Sequence, residues 1–250
     1  MLRLEELTKN FGGLRAVDHC SFEVPEHTVF GLIGPNGSGK STIFNLITGF
    51  LKPTNGRVFF KNQDISDKKP YEINQMRLAR TFQLVKVFRN MTVMENMLLA
   101  PKHQAGENLL WAMVQPKSMR EVERENISRA RALLDLIDLR EAENAPASEL
   151  SYAEQKMVEI SRAMMTEPEL ILLDEPASGI NPTLMNRILN YIRELRDRHG
   201  KTFLIVEHDM RVVMNLCERI AVLNYGRKIA EGSPAEISRD PLVIDAYLGV

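Results

Sequence analysis

The segment Gly34–Thr42, with the sequence GPNGSGKST, constrains the fold of this chain more than any other stretch. It fits the pattern G-x-x-x-x-G-K-[ST], whose glycines let the backbone turn its N–H groups inward onto an anion. The β-rich run Val29–Ile33 precedes it, and Ile43, Leu46 and Ile47 follow at helical spacing. A helix start favours a phosphate because it presents the positive end of the helix dipole. The sequence therefore predicts a phosphate-binding loop rather than a glycine turn without a ligand.

The side chains of this loop have expected roles. Lys40 would reach the β- and γ-phosphates of a nucleoside triphosphate, and the Ser41 hydroxyl would be offered to Mg²⁺. The residues that we expect to bind the nucleotide are Gly34, Pro35, Asn36, Gly37, Ser38, Gly39, Lys40, Ser41 and Thr42.

Composition narrows the class of protein. The 250 residues carry 32 Lys and Arg against 33 Asp and Glu, so we expect no nucleic-acid partner, which would need a basic excess. Cys20 and Cys217 lie far apart without metal-ligand spacing, which favours a reducing cytosol. We identify no signal peptide, and no apolar stretch approaches the ~20 residues that span a bilayer. If the protein works at a membrane, another chain must hold it there.

The apolar pattern changes twice along the chain. From about Leu84 to Thr166, Met, Leu, Arg and Glu recur at helical spacing, which predicts a mostly helical insert containing the apolar patch Asn108–Val114. From Leu170 strands and helices alternate, which is typical of a parallel sheet covered on both faces. The first stretch, with Leu2, Leu4 and Leu7 before the turn signal Asn10–Gly13, is predicted to form strands. The other predicted strands are Ser21–Val24, Val29–Ile33, Arg57–Phe60, Leu170–Leu173, Phe203–Val206, Ile220–Leu223 and Lys228–Ala230, and a helix is predicted at Leu184–Arg198.

Polar residues end two of the buried strands. Asp174 and Glu175 follow Leu170–Leu173, where Asp174 would hold Mg²⁺ through water and Glu175 would polarise the attacking water. His208 follows Phe203–Val206 and would contact the γ-phosphate, although alone it would more often be a capping or packing residue. Gln83, at the junction with the helical insert, would sense Mg²⁺ and water.

The segment Leu150–Lys156 opens a helical run. Ser151 and Glu154 match a capping box, so the pattern by itself indicates a well-started surface helix. The functional alternative is that the free N–H groups of this helix start and the Ser151 hydroxyl bind a phosphate.

Together, Gly34–Thr42, Gln83, Leu150–Lys156, Asp174-Glu175 and His208 have the order and rough spacing of an ABC ATPase domain. The resemblance covers essentially the whole chain. It implies one α/β domain over residues 1–250, a P-loop NTPase. This would have a RecA-like core, whose mixed sheet carries helices on both faces, an antiparallel β portion and a helical subdomain inserted at about 84–166.

The resemblance also assigns roles. It implies that ATP is held between the phosphate loop of one subunit and the signature of a second, homo- or heteromeric, and that Ala177–Asn181 is the D-loop. Phe11 resembles the aromatic residue that stacks on adenine, a place more often filled by tyrosine, and Val17 belongs to the same ATP-binding set. The implied roles are catalysis for Glu175 and His208, Mg²⁺ binding for Ser41, Gln83 and Asp174, and the signature for Ser151, Tyr152, Ala153 and Glu154.

Finer cues are similar to ATPase subunits of branched-chain amino acid and urea importers. They are the motifs Phe11–Val17, Arg80–Gln83, Met91–Asn96 and Val243–Gly249. This branch implies two membrane-spanning permease subunits, an extracytoplasmic solute-binding protein that acts indirectly, and a peripheral place on the cytoplasmic face of the membrane. The alternatives are a soluble ABC ATPase of iron–sulfur cluster assembly and an ABC ATPase acting on nucleic acid or ribosomes. Ala153 departs from the usual signature LSGGQ, whose second glycine it replaces.

Overall fold

The computed structural model describes residues 1–81, 86–101 and 117–248, with no side-chain description for 117–119 and 248. The chain divides into two compact units. The sheet unit contains Met1–Gln83, Glu169–Gly179 and Ile192–Val250. The helical unit contains Leu84–Pro168 and Ile180–Tyr191.

The strands and helices are numbered in chain order. The strands are β1 Leu2–Phe11, β2 Leu14–Val24, β3 Val29–Ile33, β4 Asn55–Phe60, β5 Gln63–Asp64, β6 Leu78–Arg80, β7 Leu170–Asp174, β8 Thr202–Val206, β9 Arg219–Asn224 and β10 Arg227–Gly232. The helices are α1 Lys40–Ile47, α2 Pro70–Gln75, α3 Val93–Leu98, α4 Lys117–Leu136, α5 Tyr152–Met164, α6 Pro182–Asp197, α7 Met210–Leu216, α8 Pro234–Ile237 and α9 Pro241–Leu248.

The sheet unit contains two sheets. The first is antiparallel where its strands pair, with the order β2-β1-β4-β5. The core sheet has the order β10-β9-β3-β8-β7-β6 and is parallel from β9 to β6, with β10 antiparallel at the edge. Every residue of β3, β7 and β8 is buried, as the continuous apolar runs predict. The predicted α/β fold with a mixed core sheet and an antiparallel portion is confirmed.

Three strands differ from the prediction, and one of them, β5, has only two residues and was not predicted. The strand predicted at Ser21–Val24 is only the end of β2, which begins at Leu14 opposite Phe11 of β1. Polar residues such as Arg15 and Asp18 interrupt the apolar pattern there, so periodicity alone does not mark the strand. Strand β6 went unpredicted because it is three residues long, and its pairing with β7 supplies the order that its sequence lacks.

The helical unit is built on capped helices. Thr92 accepts a hydrogen bond from the N–H of Glu95 at the start of α3, and Ser151 and Glu154 form the predicted capping box at the start of α5. Buried Asn96 donates to the carbonyls of Phe88 and Thr92, which fixes the chain that enters α3. No helix within residues 1–81, 86–101 and 117–248 is long and apolar enough to cross a bilayer. The predicted patch Asn108–Val114 lies outside the described residues.

Candidate functional site

The predicted phosphate loop joins β3 to α1 in the sheet unit, and two of its glycines have no substitute. Gly34 has φ +149°, and a Cβ there would lie 2.1 Å from the carbonyl oxygen of Leu223. Gly39 has φ +103°, and its Cβ would lie 2.5 Å from the carbonyl oxygen of Ala16. Both positions therefore exclude any side chain, by conformation as well as by space. The loop is held against β2 and β9 as a fixed cradle.

Lys40 opens α1 and is buried within this cradle. Its Nζ donates to the carbonyl oxygens of Gly34 and Pro35, each at 2.8 Å. Burial lowers the pKa of Lys40, while the carboxylates of Glu175 and Asp174 oppose that shift. The lysine thus lies in the field of both acids that the sequence assigns to catalysis and to Mg²⁺.

The other predicted nucleotide residues surround this lysine in different ways. Ser41 is exposed and Thr42 is half-buried, whereas Ser38 is buried within the loop. Phe11 ends β1 and is 44% exposed, and the Lys9 ammonium lies over its ring, 5.3 Å from the centroid. Val17 is fully buried, and its Cγ2 lies 3.6 Å from where a Cβ on Gly39 would be. In this structure Val17 therefore packs against the phosphate loop at Gly39.

The turn between β9 and β10 completes the support of the loop. Gly226 donates its N–H to the carbonyl of Ser38 at 3.0 Å and accepts the N–H of Asp18 at 2.9 Å. Asp18 is buried and paired with Arg15 and Arg227, and its hydrogen bonds with His19 and these arginines hold its pKa well below the usual range. This ion cluster ties β2 to β10 on the far side of the phosphate loop.

Asp174, the last residue of β7, is held by an arginine. The guanidinium of Arg80 donates to the Asp174 carboxylate at 3.1 Å and to the Asn45 side chain at 2.7 Å. Both partners of the Arg80–Asp174 pair are about nine-tenths buried. Asn45 belongs to α1, so one arginine joins the helix after the phosphate loop to the acid predicted for Mg²⁺.

Glu175 and His208 come together at the carboxyl ends of β7 and β8. These strands are neighbours, and β8 also neighbours β3, so the loops after all three emerge side by side. His208 Nδ1 lies 3.4 Å from Glu175 Oε1. Glu175 has φ +49°, an uncommon left-handed conformation for a residue with a side chain. Its N–H donates to the carbonyl of Val206 at 2.9 Å, which fixes this conformation onto β8.

The donors predicted for Mg²⁺ are described in part. Ser41 offers a hydroxyl and Asp174 a carboxylate, and such oxygen ligands fit Mg²⁺, which typically takes few protein groups plus substrate phosphates and water. Gln83 lies outside the described residues. The chain's own groups thus fit the ion through Ser41 and Asp174.

The predicted signature begins α5 in the helical unit. Ser151 Oγ donates to Glu154 Oε2 at 2.6 Å, and the same carboxylate oxygen accepts the Ser151 N–H at 2.8 Å. Tyr152 is exposed, whereas the Ala153 methyl group is buried in the first turn. Gln155 donates to the carbonyls of Ala147 and Leu150, which pins the chain before the helix. The capping box and Gln155 thus hold this segment through its own side chains.

The C-terminal helix α9 lies against the phosphate loop. Leu242, Asp245 and Ala246 line a concave surface together with Pro35 and Tyr225. Loss of water at its hydroxyl raises the pKa of Tyr247 to about 12, and a hydrogen bond with the backbone of Gly34 opposes the shift. The start of the phosphate loop is therefore covered by the end of the chain.

Two residues of this site went unpredicted, Arg80 and Glu207. Arg80 meets Asp174 only through the pairing of β6 with β7. Glu207 is buried next to His208, and its carboxylate accepts the N–H of Ala177 at 3.0 Å. In the sequence, the only indication was a charged residue at the end of a strand. This pattern identifies the position but does not identify the partner of the side chain.

A glycine cradle between a parallel strand and a helix, with acids on neighbouring strand ends, defines a P-loop nucleotide-binding protein. The family model described as ABC transporter matches residues 17–178. The chain belongs to the ABC transporter family and is an ATP-binding cassette, the ATPase component. A second family model, described as Branched-chain amino acid ATP-binding cassette transporter, matches residues 227–250.

Curated relatives match over the whole chain. The high-affinity branched-chain amino acid transport ATP-binding protein LivG of Salmonella typhimurium is 43% identical over 249 residues, covering 100% of this chain and 98% of the relative. The corresponding protein BraF of Pseudomonas aeruginosa is 40% identical, with the same coverage of 100% and 98%.

Solved structures agree with this assignment. A nucleotide-free ATP-binding cassette from an ABC transporter superposes with a TM-score of 0.86 at 39% identity, covering 100% of this chain and 99% of the other. A dimeric ATP-binding cassette bound to ADP and Pi superposes with a TM-score of 0.75 at 27% identity, covering 94% of this chain and 99% of the other.

Proposed function

We propose that this chain is the ATP-hydrolysing motor of an importer for branched-chain amino acids. The observation that carries the proposal is the match of residues 227–250 to a model specific to such transporters, beside full-length similarity to proteins of that name. The matched tail contains α9, which lines one concave surface together with the phosphate loop. The segment that matches the transporter-specific model therefore also borders the phosphate loop, although no residue of this chain need touch the solute.

The proposed chemistry assigns a task to each described group. The loop N–H groups and Lys40 bind the β- and γ-phosphates, and Ser41 and Asp174 would hold Mg²⁺, which neutralises phosphate charge when bound. Glu175 accepts a proton from the attacking water or orients it, and His208, 3.4 Å away, orients Glu175 and contacts the γ-phosphate. Glu175 has its left-handed backbone conformation directly after β7, with its carboxylate beside His208. Gln83 would report the state of this site to the helical subdomain at about 84–166.

The proposed working form contains two ATPase subunits. Ser151, Tyr152, Ala153 and Glu154 of one subunit would face the phosphates bound by the other, which gives each ATP two sets of contacts. Support comes from the related cassette whose structure is dimeric with ADP and Pi. The exposed positions of Ser151 and Tyr152 leave this helix start accessible to a second chain.

The proposed membrane partners are two permease subunits, which would hold the chain on the cytoplasmic face of the membrane. Phe88 is a candidate contact because its ring is 55% exposed, while its backbone is fixed by Asn96. Exposed apolar side chains are common on the surfaces by which proteins contact their partners.

Co-purification tests the transport assignment. A tagged chain isolated from detergent-solubilised membranes should bring down polytopic permease chains. The reconstituted complex should take up leucine only with ATP and a solute-binding protein. Recovery of soluble scaffold proteins alone would instead support the alternative of iron–sulfur cluster assembly and would reject the importer.

Phe88→Ser tests the docking surface. In the reconstituted complex it should abolish leucine uptake and leave the hydrolysis of the isolated subunit intact, because the ring contributes little to the fold. Leu14→Ser, at another exposed apolar side chain (68% exposed), is the matched control and should keep transport. Equal loss of uptake and hydrolysis in Phe88→Ser would show that the ring supports the fold instead.

A further inference from the structure

Glu207 is a buried carboxylate to which neither the family resemblance nor the proposed chemistry gives a role. It follows the last residue of β8 and precedes His208, and only 1% of the residue is exposed. A carboxylate loses several kcal/mol of hydration on burial unless hydrogen bonds replace the water. The hydrogen-bond partners of the Glu207 carboxylate therefore indicate its role.

Both oxygens of Glu207 accept backbone hydrogen bonds, and they do so from two different loops. Oε1 accepts the N–H of Ala177 at 3.0 Å. Oε2 accepts the N–H of His208 at 3.2 Å. Ala177 lies two residues after Glu175, so the side chain connects the loop of one predicted catalytic residue to the backbone of the other.

The surrounding contacts make this connection specific. Glu175 donates its N–H to Val206, and Ser178 donates to the carbonyl of Glu175 at 3.2 Å, so the loop after β7 is a tight turn anchored on β8. Burial raises the pKa of Glu207, and the hydrogen bonds from Ala177 and His208 oppose this shift by favouring the ionised form. The carboxylate is thus held between fixed donors.

We infer that Glu207 is a positioning residue that sets the distance between Glu175 and His208 by fixing the loop after β7 and the loop after β8 to one side chain. The inference rests on the proposed function, because it assumes that Glu175 and His208 act on ATP. Glu207 is 1% exposed, so its side chain has almost no surface with which to contact the nucleotide or the attacking water. Its effect should therefore appear in the chemical step and leave nucleotide binding at the phosphate loop unchanged.

Glu207→Gln is the direct test because it keeps shape and changes one oxygen into an NH₂ group. The amide oxygen can accept only one of the two backbone N–H groups. The NH₂ group of the amide then faces the other N–H, so two donors oppose each other. The kcat for ATP should fall about tenfold or more, since small misplacements of catalytic groups have large effects on rate. The KM for ATP and the dissociation constant of ATP from nucleotide titration should stay within about twofold of the wild type, because the phosphate cradle is untouched.

Glu218→Gln is the matched control. The Glu218 carboxylate also accepts a backbone N–H, that of Val29, but at the amino ends of the strands. It should alter the thermal melt without the selective loss of kcat. If Glu207→Gln does not fold, Glu207→Asp takes its place, since it keeps the charge and is too short to reach both loops, and the same split between kcat and KM is expected.

A folded Glu207→Gln with wild-type kcat would overturn the inference, as would an equal loss of kcat in Glu218→Gln. The proposed function fails separately: in that case the wild-type chain itself shows no hydrolysis or recovers no permease partner.

Discussion

Two helix starts in this molecule are predicted to meet phosphates, and they are built in opposite ways. At α1 the N-cap is Gly39, no side chain caps the helix, and its first turn contains no acid. At α5 the N-cap Ser151 is bonded to Glu154, an acid within the first turn. Free N–H groups at a helix start need partners from outside the helix. The first start leaves these N–H groups to the phosphate that is predicted to bind there, whereas at the second the N–H of Glu154 already has a partner, the Ser151 hydroxyl.

This difference predicts that the two helix starts contribute differently to ATP binding. The α1 start adds the fixed charge of buried Lys40 and is predicted to bind the phosphates of its own subunit tightly. The α5 start is held by its own capping box, and Glu154 places a negative charge where a partner's phosphate would arrive. We therefore expect its contribution to ATP binding to be weaker and conditional on a second subunit.

Lys40→Ala should have the largest effect among the binding contacts. Losing a charged hydrogen-bonding group costs about 1.5–3 kcal/mol, or about 10- to 150-fold in affinity, and no neighbouring cation can replace it. ATP titration with a fluorescent analogue measures the loss. Lys52→Ala, at an exposed lysine of the same unit, is the control and should bind ATP normally. Full ATPase activity in Lys40→Ala would remove the assignment of the α1 start.

Ala153→Asp should come next. It adds a carboxylate to the buried first turn of α5, where the charge would either turn outward and repel a phosphate held by the second subunit or lower the stability of the helical unit, so a thermal melt is measured beside hydrolysis. Hydrolysis should fall by at least about tenfold, whereas ATP binding to the monomer should be unchanged because α1 supplies it. Weakened ATP binding by the monomer would contradict the separation of the two starts.

Glu154→Gln should have a smaller effect in the opposite direction. The amide oxygen still accepts the Ser151 N–H, while the charge at the helix start is lost. A charge at a helix end contributes about 0.3–1 kcal/mol, so the KM for ATP should fall about two- to fivefold. Glu149→Gln removes a charge three residues before α5 begins and should leave KM unchanged. A rise of KM in Glu154→Gln would show that the acid assists the phosphate contact.

Ala153→Gly should have the smallest effect. Alanine is favoured over glycine by up to about 1 kcal/mol in a helix, and the buried methyl group adds a little packing. Steady-state hydrolysis should change by only a few fold. A hundredfold rise would show that the native signature is degenerate and that the subunit needs a partner with an intact one.

The parts that sequence predicts well are those fixed by local chemistry. The glycines of Gly34–Thr42 require their loop because no side chain fits, and Ser151 with Glu154 encode their own cap. The buried strands of the core sheet are predicted by their continuous apolar runs. These features depend on residues within a few positions of each other.

The parts that sequence did not predict depend on contacts between distant segments. Arg80 acquires its role from Asp174, 94 positions away, and Glu207 from Ala177, 30 positions away. Neither position differs by composition from an ordinary strand end, and only the strand order brings the partners together. The roles of all the predicted site residues, among them Lys40, Glu175, Gln83, His208 and the signature, remain predictions.

Light scattering of Glu175→Gln tests the central claim, that the two helix starts of different subunits share one ATP. The amide keeps size and hydrogen bonding but cannot serve as the base, so ATP stays bound while turnover stops. With saturating ATP and Mg²⁺ the measured mass should be twice that of the monomer. It should return to the monomer value when Lys40→Ala is added to the same chain. A Glu175→Gln chain that binds ATP and stays monomeric would contradict the account.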